Sequence, residues 1–223
     1  MPFLFDNESA LRNAVATGSK MRNFLDAAVL RETGAKVLWW QAFGRHVNLN
    51  NGKPLRTPAD MKGKKVRTYG KILGWTVEAL GGAPTLMSGL KQFLAYKQKA
   101  VDVGMTGISA VKSRKLYEVM NHMTLSFDSA IEFVAVINNK FFEGLSKKSQ
   151  EVVLKAAATV EKQLRDQIYA EEASDITEIR LKMTVVDLSE GEHAKWRDAT
   201  KGVIAKFAKA GGADAAAVIK VVG

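Results

Sequence analysis

Two strand–turn–helix units within residues 62–111 constrain the fold of this chain more than any other feature. In the first, a short strand carries Arg67 near its end and leads into a helix over Lys71–Leu80. In the second, a strand over Val101–Met105 meets the small-residue turn Met105–Gly107 and then another helix. Such a succession predicts a parallel or mixed sheet with covered faces. Ligands of such sheets bind beyond the carboxyl ends of strands, where helix N-termini present amide groups.

Arg67 is the residue best suited to contact a ligand at these strand ends. Its guanidinium group can bind a carboxylate through two parallel hydrogen bonds. A structural arginine fits the pattern equally well, and the residues alone leave both roles open. Met105, Thr106 and Gly107 would add exposed backbone amides and one hydroxyl. The sequence therefore predicts that Arg67 and this turn face one small anionic ligand.

Two further pairs of residues are candidates for the same site. Arg45 and His46 follow one another on a predicted strand over 44–49, so only one of them can face a cleft. The period of the strand does not decide which. Phe127 and Asp128 lie between a polar loop and an apolar strand, where Asp128 is equally a turn residue.

The sequence lacks the motifs of common catalytic and metal sites. It has no cysteine, and its three histidines do not have metal-ligand spacing. We therefore expect no catalytic residue, no metal and no cofactor. An enzyme acting on an anionic small molecule remains an alternative, with Asp102, Asp128 or His46 as its acid or base. Asp102, in mid-strand, fits a structural hydrogen-bonding role better.

The charge of the chain raises the question of nucleic acid. Its formal net charge is +10 and its pI is about 9.7. The basic residues are spread over predicted helix faces, however, and only Lys62–Lys65 is a tight basic cluster. No zinc finger or basic zipper accompanies that cluster. A solvated basic surface without nucleic acid is favoured, and a binder of nucleic acid or of a membrane surface is the remaining alternative.

The other elements are predicted from hydrophobic period and from helix caps. A helix over 147 to about 181 exceeds the usual globular length and must brace two lobes or pack against a partner. The remaining predictions are a helix over 8–34 with a possible break at Gly18, strands over 36–41, 44–49 and 131–138, and helices over 190–210 and 213–222.

The order of several motifs resembles that of the substrate-binding proteins of TRAP (tripartite ATP-independent periplasmic) transporters. The most specific is P-x-D-x-K-G-x-K-x-R, from Pro58 to Arg67. The resemblance spans nearly the whole chain, and its other motifs are Pro2–Phe5, Gly44-Arg45, Leu80–Thr85, Val101-Asp102 and Leu145–Gln150.

The resemblance implies an α/β, type II periplasmic-binding-protein fold, with two lobes, mixed sheets and a long helix that spans both lobes. Residues 1–35 and part of 124–182 would belong to the first lobe and the spanning helix. Residues 36–123 and 183–223 would be mainly the second lobe. The implied function is not catalytic: a periplasmic receptor closes around an organic acid and delivers it to a membrane permease.

The same resemblance implies roles for the candidate residues. Arg67 would clamp the carboxylate of the ligand, and Arg45 or His46 would be a second polar contact. Thr106 stands where the family often has an asparagine, and Phe127 and Asp128 lie in the loop before the next strand. The turn before Ile108 is more apolar than in sialic-acid-binding members, which favours a smaller ligand such as a 2-oxo or aromatic acid.

The chain departs from the family pattern at its start. Members of the family have a signal peptide and several β–α units before the motif that corresponds to Pro2–Phe5, and this sequence begins at that motif. We therefore expect an incomplete first lobe, with sheet edges exposed near Val37–Trp40. Self-association with another copy is one way to cover them.

Overall fold

The computed structural model describes residues 1–5 and 7–222 of the chain. The helices are α1 (Glu8–Val15), α2 (Lys20–Thr33), α3 (Lys71–Ala79), α4 (Gln92–Lys97), α5 (Ile108–Ser113), α6 (Asn139–Gly144), α7 (Lys147–Arg180), α8 (Glu190–Thr200) and α9 (Gly202–Val222). The strands are β1 (Ala35–Asn50), β2 (Lys65–Thr68), β3 (Ala83–Leu86), β4 (Val103–Gly107), β5 (His122–Thr124), β6 (Ala130–Asn138) and β7 (Thr184–Val186).

The helix predicted over 8–34 is divided where the sequence suggested. Gly18 has a φ of 81° and lies between α1 and α2. Ser19 caps α2, since its hydroxyl accepts a hydrogen bond from the N–H of Arg22. Gly34 ends α2 in the left-handed conformation and donates its N–H to the carbonyl of Leu30.

The two strands predicted over 36–41 and 44–49 are one continuous strand, β1, so that prediction was wrong. Gly44, where the second predicted strand begins, lies inside β1 with a φ of 97°. A Cβ atom at this position would overlap the carboxylate of Glu172. A glycine here therefore permits a local distortion and a close approach without ending the strand.

The C-terminal helices also differ from their predicted bounds. The helix predicted over 190–210 ends at Thr200, and α9 begins at Gly202. Gly212 has non-helical angles inside α9, so the predicted boundary at this glycine is a kink. The long helix α7 has the predicted length, at 34 residues.

The sheet is mixed, as predicted, with the strand order β3-β2-β4-β1-β5-β7 and with β6 paired to β1. Strand β2 runs parallel to β3 and β4, and Arg67 lies opposite Gly104. Strand β1 is antiparallel to β4 and places His46 opposite Gly107. Because Gly107 is the last residue of β4, His46 and the carboxyl ends of β2 and β4 share one edge of the sheet.

The chain divides into two compact units. Unit 1 comprises residues 1–4, 44–131 and 170–207. Its hydrophobic core has two clusters, one around Val47, Tyr96 and Ile108 and the other around Val66, Met105 and Trp196. The indole N–H of Trp196, which is fully buried, donates to the carbonyl of Arg56.

Unit 2 comprises residues 5–43, 132–169 and 208–223. Its small core includes Val15, Met21, Trp40 and Val218. Strand β6 exposes large apolar side chains in this unit, namely those of Phe133, Val134 and Val136. The expected incompleteness of the first lobe and the expected lobe boundaries stay predictions.

Candidate ligand-binding site

Arg67 is fixed inside unit 1 by backbone carbonyls. Its side chain leaves β2 and is almost fully buried, with 2% of the residue exposed. Nε and Nη2 donate to the carbonyl of Met87 at 3.0 and 2.8 Å, and Nη1 donates to the carbonyl of Met105 at 2.5 Å. A guanidinium group has five N–H donors. Three are used here, so two remain for a ligand.

The positive charge of Arg67 is not neutralised within the part of the chain that the structure describes. None of the ion pairs found among the described residues involves Arg67. Burial lowers the pKa of the guanidinium group below its usual value, although nearby Tyr96 and Tyr69 act in the opposite direction. A buried cation without a carboxylate is costly, and a bound anion would remove that cost.

Two tyrosines lie near Arg67, and the like charge of Arg114 also acts on it. The guanidinium carbon of Arg67 lies 5.2 Å from the ring centroid of Tyr69. Tyr96 is buried next to Gly104 and donates its hydroxyl to Gln92 at 2.9 Å. A Cβ atom at Gly104 would overlap the phenol ring, so glycine permits this packing.

The expected turn Met105–Gly107 lies instead inside strand β4, and α5 begins directly at Ile108. All three residues are buried. The prediction of an exposed turn with accessible amides was therefore wrong. Thr106 is 2% exposed, and the observed contribution of this segment to the site is the carbonyl of Met105 that holds Arg67.

Arg45 and His46 have different partners. The side chain of Arg45 is 33% exposed and donates through Nε to Glu172 at 2.8 Å, while its guanidinium carbon lies 3.9 Å from the ring centroid of Phe127. His46 is fully buried and pairs through Nδ1 with Oδ1 of Asp128 at 2.6 Å. Two pairs of the predicted site residues are therefore in contact, namely Arg45 with Phe127 and His46 with Asp128.

The negative charge of Asp128 is stabilised by its neighbours. Its burial favours the protonated form, but the attraction of His46 and hydrogen bonds from His46 and Ser129 lower the pKa of the carboxyl group below its usual value. The hydroxyl of Ser129 donates to Oδ1 at 3.1 Å. Asp128 is therefore an ionised member of a buried pair, and it is more than the turn residue that the sequence also allowed.

Tyr69 joins the two parts of the site, and the sequence analysis did not single it out. Its ring centroid lies 6.4 Å from that of His46, in addition to its contact with Arg67. The signal available was its position, two residues after Arg67 and directly after the end of β2. Asp102 has the structural role expected, since it accepts the N–H of Lys65 at 2.7 Å.

The described chain also has a surface groove away from the candidate residues. This groove, of about 490 Å³, is lined by residues such as Tyr117, Arg180 and Lys182, and none of the predicted site residues lines it. Residues 1–5 and 7–222 contain no cluster of three or more potential metal ligands. Within the same residues, no helix is both long and apolar enough to cross a membrane.

Comparisons with known proteins agree on the type of fold. The periplasmic ectoine-binding protein of a TRAP transporter from Halomonas elongata superposes with a TM-score of 0.91 at 22% identity, over 99% of this chain and 73% of that one. A TRAP solute-binding protein from Ralstonia eutropha H16 with bound (S)-2-acetolactate gives 0.86 at 28% identity, over 99% and 72%.

A curated relative shows the same likeness in sequence. The 2,3-diketo-L-gulonate-binding periplasmic protein of Escherichia coli K12 is 30% identical over 159 residues, which are 70% of this chain and 47% of that protein. The chain spans between 47 and 64% of the length of the first curated relatives that it matches.

The family model gives the broadest match. The model of bacterial extracellular solute-binding proteins, family 7, matches residues 1–210. This range contains the P-x-D-x-K-G-x-K-x-R motif and every candidate site residue. The α/β fold with a mixed sheet is that of the TRAP periplasmic binding proteins, as the sequence predicted. The chain therefore belongs to family 7 of the bacterial extracellular solute-binding proteins, the receptors of TRAP transporters.

Proposed function

We propose that this chain binds a small organic carboxylate outside the cytoplasm and delivers it to a TRAP-type membrane permease. The observation that carries the proposal is Arg67, a buried guanidinium group that no carboxylate of the described residues neutralises. It has two N–H donors left, and it lies at the sheet edge where ligands of α/β proteins bind. The carboxylate of the ligand would supply the missing negative charge.

The relatives support an organic acid as the ligand class. Two of them, from E. coli and R. eutropha, bind 2,3-diketo-L-gulonate and (S)-2-acetolactate, which are both small carboxylates with further oxygen substituents. In this proposal Arg67 binds the carboxylate. The other candidate residues, His46, Asp128, Phe127, Arg45 and the segment Met105–Gly107, would contribute further contacts to the acid.

Binding would proceed by lobe closure around the acid, as in other proteins of this type. Family members are receptors for transport rather than enzymes, and we propose that this chain too has no catalytic activity and needs no cofactor. The periplasm is the proposed location. The permease and the acid are the proposed partners; nucleic acid is not one, and self-association through the first lobe stays a prediction.

A thermal-shift screen against organic acids, followed by isothermal titration calorimetry, tests the proposal. The wild-type chain should be stabilised by at least one small carboxylate. In Arg67→Ala that affinity should fall by about 100-fold or more, because the variant lacks the bidentate, desolvated contact.

Arg31→Ala is the matched control, since Arg31 is an exposed arginine of unit 2 that pairs with Glu32 and Asp214. Its affinity for the acid should equal that of the wild type. Unchanged affinity in Arg67→Ala would refute the clamp. Turnover of the acid by the wild-type chain would contradict the non-enzymatic function.

A further inference from the structure

Arg114, directly after α5, is a second arginine beside the loop that holds Arg67. Its guanidinium group lies against the backbone of Gly89, where an added Cβ atom would be 2.5 Å from Nη1 and 2.9 Å from Nη2 of Arg114. Gly89 is two residues after Met87, whose carbonyl accepts Nε and Nη2 of Arg67 at 3.0 and 2.8 Å. Two residues of chain span at most about 7 Å. Both guanidinium groups therefore lie at one short loop of unit 1.

The two arginines are cations without carboxylate partners in the described chain. No ion pair among residues 1–5 and 7–222 involves Arg114 or Arg67, whereas Lys112, on the preceding helix, pairs with Asp175 and Glu178 at 2.8 Å. Burial is the main cause of the lowered pKa of Arg67, and the like charge of Arg114 adds to it. Because two like charges near a buried region repel each other, a ligand with two negative charges removes a cost that a single carboxylate removes only in part.

The side-chain amide of Gln92 adds an unused donor to the same loop. The backbone N–H of Gln92 donates to the carbonyl of Gly89, and its Oε1 accepts the hydroxyl of Tyr96 at 2.9 Å. A Cβ atom at Gly104 would overlap that hydroxyl, and Gly104 lies opposite Arg67, so the hydroxyl and Arg67 share one face of the sheet. Nε2 of Gln92 is buried and makes no hydrogen bond to any described residue. Buried polar atoms are nearly always paired, so this one indicates a further partner.

We propose that Arg114 and Gln92 form a second anion subsite beside Arg67, so that the preferred ligand is a short dicarboxylate. One carboxylate binds Arg67 through its two remaining N–H donors, and the other binds Arg114 and Nε2 of Gln92. Gly89 is the residue that admits Arg114, because a side chain there would occupy the position of the guanidinium group. This inference rests on the proposed function and narrows its ligand class from carboxylates in general to those with a second negative charge.

The test is calorimetry at pH 8 with pairs of acids that differ by one charge. Each pair is a dicarboxylate and its monoamide, in which a neutral group of nearly the same shape replaces one carboxylate. The pairs are malonate with malonamate, succinate with succinamate and glutarate with glutaramate. In the wild-type chain, the Kd of the best-bound dicarboxylate should be about 30-fold below that of its monoamide, because charge-assisted hydrogen bonds are stronger than neutral ones.

Arg114→Gln removes the charge of the second subsite. In this variant the ratio of the monoamide Kd to the dicarboxylate Kd should fall about tenfold, while the monoamide binds as in the wild type. Lys115→Gln is the matched control, since Lys115 is the next residue and is exposed, and its loss removes the same charge outside the subsite. The ratio in this control should equal that of the wild type. An equal fall in both variants would assign the preference to the overall positive charge of the chain and overturn the subsite.

Two further variants test the shape of the subsite. In Gly89→Ala the added methyl group should displace the guanidinium group of Arg114 and lower the ratio about fivefold. The φ of Gly89 is outside the left-handed region, so the backbone accepts alanine. Tyr96→Phe/Gln92→Leu removes both partners of one buried hydrogen bond, and dicarboxylate affinity should fall about threefold. Unchanged affinity in the double variant would overturn the role of Gln92. Thermal unfolding shows whether each variant is folded.

The outcomes for the subsite and for the proposed function can be distinguished. A wild-type chain that binds monocarboxylates but no dicarboxylate, or that binds each monoamide as tightly as its dicarboxylate, overturns the second subsite and leaves the proposed function intact. A ratio in Arg114→Gln equal to that of the wild type overturns the subsite as well. Failure of the wild-type chain to bind any acid, including those of the thermal-shift screen, overturns the proposed function and this inference together.

Discussion

Two buried arginines of this chain have opposite surroundings. In unit 2, the side chain of Arg22 is 5% exposed and pairs with Glu161 and Asp26. In unit 1, Arg67 is equally buried, but among the described residues its partners are the carbonyls of Met87 and Met105. Arg22 therefore has carboxylate counter-ions within the fold, whereas Arg67 has none among the described residues. Burial alone therefore does not distinguish the two arginines, and the proposal for Arg67 rests on the lack of a described carboxylate partner.

The network of unit 2 extends this contrast. Arg165 pairs with Glu132 at 3.0 Å, and Trp40 donates its backbone N–H to Glu161. Burial raises the pKa of Glu132, despite the attraction of Arg165. Charges of both signs thus support one another here. The cations of such a network already have carboxylate partners in the fold, unlike Arg67 among the described residues.

The largest effect is expected from Arg22→Met. The variant leaves Glu161 buried without its main partner, and the free energy of unfolding should fall by about 3–5 kcal/mol, as when one partner of a buried ion pair is removed. Urea unfolding monitored by circular dichroism measures it. Ligand affinity should change little, because Arg22 pairs with carboxylates of the fold and is not one of the candidate site residues.

The double variant Arg22→Met/Glu161→Gln is its control. The amide of glutamine keeps an acceptor for the N–H of Trp40 and removes the unpaired charge, so part of the lost stability should return. A loss below about 1 kcal/mol in Arg22→Met would show that the pair adds little to the fold.

Asp128→Asn should have the next largest effect on the free energy of unfolding. It removes a buried carboxylate of unit 1 that, unlike Arg67, has a partner, His46. Removal of the charge that faces His46 should cost about 3 kcal/mol at pH 7. The pKa of Asp128 is lower in the folded chain than its unfolded value of about 3.9. Its stabilising contribution is therefore complete above that value and is lost as the pH falls through the folded pKa.

Urea unfolding at pH 7 and pH 3 checks this sign. The difference between wild type and Asp128→Asn should be large at pH 7 and smaller at pH 3. Asp198→Asn, at an exposed pair with Lys201, should behave as the wild type at both values. A difference that grows towards acid pH would contradict the ionised state of Asp128.

The sequence predicted the part of this site that is local. The alternation of strands and helices, the mixed sheet and the place of Arg67 on its strand follow from hydrophobic period and motif spacing over a few tens of residues. The pairing of His46 with Asp128 joins residues 82 positions apart. The hydrophobic period of a strand carries no information on a pairing between residues so far apart. For the same reason the sequence could not show which of Arg45 and His46 faces a cleft.

The errors of the sequence analysis concern glycine. Two strands were predicted where β1 is continuous through Gly44, and Gly107 was placed in a turn that follows the strand of Met105. Both lie in strands, and Gly44 is there because the carboxylate of Glu172 approaches its backbone. That no carboxylate of residues 1–5 and 7–222 pairs with Arg67 likewise follows from packing, which a sequence pattern does not show.

Gly104→Ala tests whether the close packing of Tyr96 on Gly104 is needed to position Arg67, which has no described carboxylate partner. The new Cβ atom would overlap the phenol ring of Tyr96, which is buried in the core of unit 1. The ring or the strand must move, and the free energy of unfolding should fall by about 2 kcal/mol, as in other overpacked cores. Acid affinity should fall as well, because Arg67 lies directly opposite Gly104.

Gly70→Ala is the matched control in the same unit. The backbone of Gly70 is extended, with a φ of −170°, and its added Cβ would meet no atom within 4 Å. Its unfolding free energy should stay within about 0.5 kcal/mol of the wild type. Equal losses in the two variants would mean that the approach of Tyr96 to Gly104 is unimportant.

The smallest effect on stability is expected from Arg67→Met, and it separates the two arginines most directly. The variant loses three hydrogen bonds from a charged donor, which is unfavourable. It also removes a buried cation that no described carboxylate neutralises, which is favourable. These changes offset one another, so the ligand-free free energy of unfolding should change by about 1 kcal/mol or less. Stabilisation by a bound acid should disappear in the same variant. A ligand-free loss as large as that of Arg22→Met, measured by the same urea unfolding, would assign Arg67 to the structural class and remove the argument for its role in binding.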